Sequence, residues 1–149
     1  MPDIYTTAWY DELKDLLNRN PEMEKSAPKG PLKVLGVLFG DGRSPYLGDG
    51  EQRLFVVLLN DGKCTEYYEV EESPPRKEFD FIFEIPAGIF EEVAAGMADP
   101  VEAGLKGTIK ITGDMRVLIR HADLVNVVQE VYQKEVETTW PNGQPPYGD

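Results

Sequence analysis

Residues 85–125, IPAGIFEEVAAGMADPVEAGLKGTIKITGDMRVLIRHADLV, constrain the fold more than any other part of the chain. Nearly every boundary in this stretch has a physical marker. Pro86 ends a strand and opens a helix, because a missing N–H costs nothing in a first helical turn. Ile89, Phe90, Val93, Ala94 and Met97 form that helix's inner face. Asp99 can cap a short second turn begun by Pro100 and anchored by Val101 and Leu105. Gly107 releases the chain into Thr108–Thr112, where Ile109 and Ile111 alternate with polar residues as a half-buried strand requires. Gly113 turns the chain, and Asp114 is a good N-cap for a final helix from Met115 to about Glu137. Its stripe is Met115, Leu118, Ala122, Val125, Val128 or Gln129, and Tyr132, widened by Val117, Leu124, Val127, Val131 and Val136. A helix apolar over so much of its girth is buried or lines something.

The rest of the chain supplies the matching layer. Thr6 or Thr7 caps an amphipathic helix over 7–19, with Trp9, Tyr10, Leu13, Leu16 and Leu17 on one face. Residues 21–31 are polar and proline-rich, which suits a loop. Residues 32–40 and 53–60 are short apolar runs of strand length. Asn60-Asp61-Gly62 signals a hairpin turn, with Lys63–Val70 as the return strand. In Glu78–Ile85, Phe79, Phe81, Phe83 and Ile85 point one way, and Ile82 is the exception to the alternation. The order is helix, strands, helix pair, strand, helix, an α+β layer pattern in a single domain over 1–149. The Pro/Gly-rich segment 138–149 suits a flexible or partner-contacting tail.

The residue inventory excludes most reaction chemistry. His121 is the only histidine and Cys64 the only cysteine. The chain therefore has no HExxH or paired CxxC, and no metal site or cofactor is expected. Neither His121 nor Cys64 sits in an activating motif. The glycines at 40–50 form no phosphate loop, and no GxSxG occurs. Glu71-Glu72 and Glu91-Glu92 are sequence neighbours, best understood as solvated charge. No catalytic residue is assigned. A small enzyme using His121 or a carboxylate is the weakest of three readings.

The net charge of −12 repels nucleic acid. It also disfavours anionic membranes unless a local basic patch overrides the field. No run of 18 apolar residues exists, so stable membrane insertion is not expected. The lone thiol suits a reducing, cytoplasmic location.

With these elements in place, residues 83–125 resemble the sterol carrier protein 2 (SCP2) domain family. The resemblance rests on a strand ending FEIP, a helix closed by Gly96, a step at Pro100 and the run Gly104-Leu105-Lys106-Gly107-Thr108-Ile109-Lys110-Ile111-Thr112-Gly113-Asp114. The layout matches over about residues 7–130, most specifically in the last third. The resemblance implies a five-stranded, mainly antiparallel sheet covered by helices, with an apolar tunnel between the layers. It implies noncatalytic carriage of a sterol, fatty acid, acyl-CoA or phospholipid. By the same analogy Phe55, Val57, Phe81, Phe83, Phe90, Met97, Leu118, Ala122 and Val125 line the tunnel. The alternative is an interaction module with a filled tunnel, dimerising or docking on a protein through its C-terminal helix. The chain departs from the family in its acidity, in its longer segment 126–149 and in ending Tyr-Gly-Asp where peroxisomal members carry a Ser-Lys-Leu-like signal.

Overall fold

A computed structural model describes residues 2–147, except for the side chains of Pro100, Val101, Gln133 and Glu135. Among the described residues the strands form one sheet of order β3-β2-β1-β4-β5. They are β1 (Pro31–Phe39), β2 (Gln52–Asn60), β3 (Lys63–Val70), β4 (Phe81–Pro86) and β5 (Lys110–Gly113). Every pair is antiparallel except β1 with β4. The β2–β3 turn places Asp61 and Gly62 at φ 51° and 84°. Two positive φ values in succession match the twist of the flanking strands, which is why Asp-Gly stands there.

The helices are α1 (Thr7–Arg19), α2 (Glu22–Ser26), α3 (Ala87–Ala94), α4 (Pro100–Leu105), α5 (Met115–Arg120) and α6 (Ala122–Glu130), followed by a π-helical turn, Val131–Glu135. Thr6 Oγ1 accepts from the Trp9 N–H and caps α1, which buries Trp9, Tyr10, Leu13 and Leu17. Across from it, Tyr10 packs on Tyr67 with ring centres 5.5 Å apart. At the exposed edge of β3, the Asn18 amide accepts from the Cys64 N–H at 2.8 Å and donates to the Cys64 carbonyl at 2.9 Å. That two-point clamp occupies backbone groups that would otherwise invite another strand.

Side-chain alternation divides the sheet into two faces. Leu32, Leu38, Phe55, Leu59 and Phe81 join the main core with α1, Phe90 of α3 and Val127 of α6. Leu35, Val37, Leu54, Val56 and Ile82 form a smaller cluster on the opposite face. Phe79 packs with that second cluster, not with Phe81 and Phe83. The expected strand over 78–85 begins only at Phe81, because Arg76–Glu78 forms a 3-10 turn and resets the alternation.

Several other expectations change in detail. Residues 22–26 of the expected loop form α2, seated by the buried Met23. The single final helix is broken at His121, whose backbone (φ −112°, ψ 36°) leaves the helical region between α5 and α6. Leu105, expected to anchor α4, is 85% exposed, and the side chain of Val101 lies outside the described residues.

Residues 138–147 lie against the body of the domain. The N–H of Ile4 donates to the Thr139 carbonyl, and the N–H of Thr139 donates to the Pro2 carbonyl. Trp9 Nε1 donates to Thr138 Oγ1 at 2.9 Å, and the Tyr46 hydroxyl donates to the Gly143 carbonyl at 2.9 Å. Residues 148–149 of the expected tail lie outside the described residues.

Candidate functional site

Between the sheet and α5–α6 lies a cavity of about 220 Å³. Its sheet wall is Leu32, Val34, Phe55, Val57, Leu59, Phe81, Phe83 and Ile85, the inward-facing alternate residues of β1, β2 and β4. Phe90 and Val93 of α3 close one side. Val117, Leu118, Leu124, Val125 and Val128 form the helical wall, with His121, Gln129, Tyr132 and Pro28 completing it.

The sites expected from sequence divide clearly. Phe55, Val57, Phe81, Phe83, Phe90, Leu118 and Val125 converge on this wall. Met97 and Ala122 do not line it. Met97 comes after α3 has ended and is 48% exposed. Ala122 falls out of phase because the break at His121 changes the rotation between the two helices. Val117 and Leu124, expected to widen the helix's apolar face, are in the wall, and so is His121, which the expected stripe did not include.

Few polar groups border the cavity, and two of them are already engaged. His121 Nδ1 lies 3.0 Å from the Ser26 carbonyl oxygen. A carbonyl only accepts, so that nitrogen carries the proton. The Tyr132 hydroxyl is bonded to the Tyr67 hydroxyl, and burial pushes both phenols above their ordinary range. Gln129 is the remaining polar side chain of the wall. The wall is therefore mainly carbon. An apolar segment gains by leaving water, about 0.8 kcal/mol per methylene.

A second recess, about 470 Å³, is bordered by Tyr46, Glu51, Arg53, Glu69 and Glu71. It is larger, yet its charged walls suit water. Its one cation, Arg53, is committed to Glu69 at 2.8 Å and lies 4.7 Å from the centre of the Tyr5 ring. The apolar cavity is the better candidate despite its smaller volume, because its chemistry is uniform.

Glu91 corrects the expectation of solvated charge: it is fully buried. Hydroxyls of Tyr5, Ser44 and Tyr147 donate to its carboxylate at 2.5, 2.8 and 2.6 Å. Burial pushes its pKa up, and the three hydrogen bonds oppose that shift. Glu91 joins the N-terminus, the loop before β2 and the C-terminal segment, and it does not border the cavity. A sealed carboxylate with its acceptor sites filled holds structure together; it has no access to a substrate. The only local warning of it is its position one residue from Phe90 on the inner side of α3.

Cys64 and His121 are engaged separately. The Cys64 thiol lies 3.4 Å from the Glu66 carbonyl, and burial pushes its pKa up to about 11. Among the described residues no three of His, Cys, Asp or Glu group to hold a metal ion, and no helix is long and apolar enough to cross a membrane.

The architecture has solved counterparts. A crystal structure of sterol carrier protein 2 superposes with a TM-score of 0.73 at 21% identity, over 89% of this chain and 98% of that one. The solution structure of a conserved hypothetical protein from Thermus thermophilus, described as possibly a sterol carrier protein, gives 0.65 at 23% identity, over 90% and 93%. A sec-alkyl sulfatase also contains the fold, at TM-score 0.50 and 19% identity, over 76% of this chain but 16% of the enzyme. At these identities the likeness concerns fold alone. No curated protein sequence matches the chain significantly. A sequence profile of the SCP-2 sterol transfer family matches residues 46–126, from the loop before β2 into α6. By that match and this architecture, the chain belongs to the SCP-2 sterol transfer family.

Proposed function

We propose that the chain binds and carries an apolar ligand without catalysing its conversion. The observation that carries this reading is the cavity between sheet and helices, whose wall is hydrocarbon and whose His121 Nδ1 and Tyr132 hydroxyl are already bonded within the protein. Such a wall recognises volume and apolarity. It suits the tail of a fatty acid, acyl-CoA or phospholipid, or the ring system of a sterol. A polar head then remains at the opening, in water.

The residues proposed to hold the guest are Phe55, Val57, Phe81, Phe83, Phe90, Leu118 and Val125. About 220 Å³ is below the roughly 300–1,000 Å³ usual for small-molecule sites. A long guest therefore widens the cavity into a tunnel by displacing α5 or α6. α5 has no buried residue and α6 only Val127, so these two helices are weakly held. A cytoplasmic place of action belongs to the same proposal; the buried free thiol of Cys64 supports it, since it needs no oxidising compartment.

Native mass spectrometry of the purified chain, followed by solvent extraction, tests the reading. Co-purifying lipid, or saturable uptake of a fluorescent fatty acid at one site per chain, is expected. A chain that is folded, carries no lipid and takes up no probe contradicts it and leaves the interaction module standing.

A further inference from the structure

The proton on His121 Nδ1 decides what the other ring nitrogen can do. In a neutral imidazole one nitrogen donates and the other accepts. The Ser26 carbonyl, 3.0 Å from Nδ1, claims the donor and leaves Nε2 as an acceptor. That carbonyl is a firm partner. It belongs to the last residue of α2, where the helix supplies no further N–H to fill it, and α2 is seated by the buried Met23. Nε2 has no hydrogen-bond partner among the described residues, yet it is not one of the buried atoms left without a partner, so it is open to solvent. The His121 ring is half-buried and belongs to the cavity wall, as does Pro28, two residues after Ser26. A side chain that borders the cavity and also meets water marks an opening.

From this placement we infer that His121 sets the head-group preference of the cavity, a role that rests on the carrier reading. It favours a guest whose head donates a hydrogen bond, an uncharged hydroxyl, over one whose head only accepts, such as an ether or an ester. An alcohol donates to Nε2 while its chain lies along the apolar wall. An ether or ester oxygen brings a lone pair to a lone pair. The other free polar side chain of the wall, Gln129, does not make this distinction. It stands two turns further along α6, about 12 Å on, and its amide both donates and accepts. The Tyr132 hydroxyl is already bonded to Tyr67. Selection of a donor therefore falls to His121.

Displacement of a fluorescent fatty acid from the untagged full chain tests this preference. The competitors are a long-chain alcohol and its methyl ether, in mildly alkaline buffer where imidazoles are neutral. The alcohol is expected to bind about two- to tenfold more tightly than the ether, the range of one hydrogen bond. His121→Asn keeps an N–H where Nδ1 donates to Ser26 and has no atom in the place of Nε2. It is expected to bind the ether like the parent and to lose the preference for the alcohol. A second readout needs no variant. His121 is the chain's only histidine, so its Nε2 nitrogen-15 resonance stands alone. It is expected to shift with the alcohol and not with the ether. Equal affinity for alcohol and ether, a preference kept by His121→Asn, or an Nε2 resonance indifferent to the alcohol would each overturn the proposal. Displacement of the probe in those cases leaves the carrier reading standing. A folded parent that binds neither probe nor competitor overturns the carrier reading, and the role of His121 with it.

Discussion

The ring of Phe55 lies over Gly36, its partner in register on the neighbouring strand, and leaves no room there for a Cβ. Phe55 is part of the cavity floor, so the missing side chain at position 36 lets a large ring lie flat instead of standing up into the space.

Gly36→Ala is therefore expected to lift Phe55 into the cavity. The overlapping atoms are the far end of the ring, which can move. Overpacking of this kind costs about 1–3 kcal/mol. Urea denaturation should show that loss, and the affinity for a fluorescent fatty acid should fall with it. Unchanged stability and unchanged affinity together would show that the Phe55–Gly36 contact does not set the floor.

Glu91 makes a prediction with a defined sign in pH. Its folded pKa is raised, chiefly by burial, above the ordinary carboxylate value of about 4.3. The folded state therefore holds its proton longer than the unfolded state. The stability contributed this way is fully present below the unfolded pKa and is lost as pH rises through the folded one. Glu91→Gln removes that dependence. The parent's stability relative to the variant should be greatest at acidic pH and should shrink as pH rises through and above the carboxylate range. At neutral pH the Gln amide keeps one acceptor oxygen but puts an NH2 group where the other accepted, so at least one of the three hydroxyls loses its acceptor. The variant should then remain less stable by about 1–3 kcal/mol. Denaturation midpoints of both proteins across pH check this; a difference that grows with pH would reverse the sign.

Cys64 should be inert while the chain is folded. With a thiol pKa of about 11, roughly one molecule in a thousand is thiolate at pH 8, and burial blocks access as well. Reaction with an aromatic disulfide reagent should be slow in buffer and rapid in denaturant. Rapid reaction in buffer would place the Asn18–Cys64 edge among the easily opened parts of the fold.

Local chemistry made much of this architecture legible before any coordinates. Asp61-Gly62 dictated its hairpin, Thr6 and Asp114 capped the helices assigned to them, and the alternation in 81–85 put Phe81 and Phe83 on the face where they stand. Features set by distant partners were not legible. Glu91 looked solvated because its three hydroxyl partners lie at positions 5, 44 and 147. The interruption at His121 has no proline or glycine to announce it; the imidazole there is bonded to Ser26, 95 residues away. One misplaced helix phase then moved Ala122 from the inside to the outside.

The most direct measurement fills the cavity and asks whether the ligand is lost. Val125→Trp puts a large ring in the helical wall of the cavity, while Tyr68→Trp puts the same ring at a 42% exposed position on the other face of the sheet. Titration with a fluorescent fatty acid should give saturable binding for the parent and for Tyr68→Trp. Val125→Trp should lose that binding while still unfolding in one cooperative transition. If Val125→Trp, cooperatively folded, binds the probe as tightly as the parent, the cavity is not where the ligand goes.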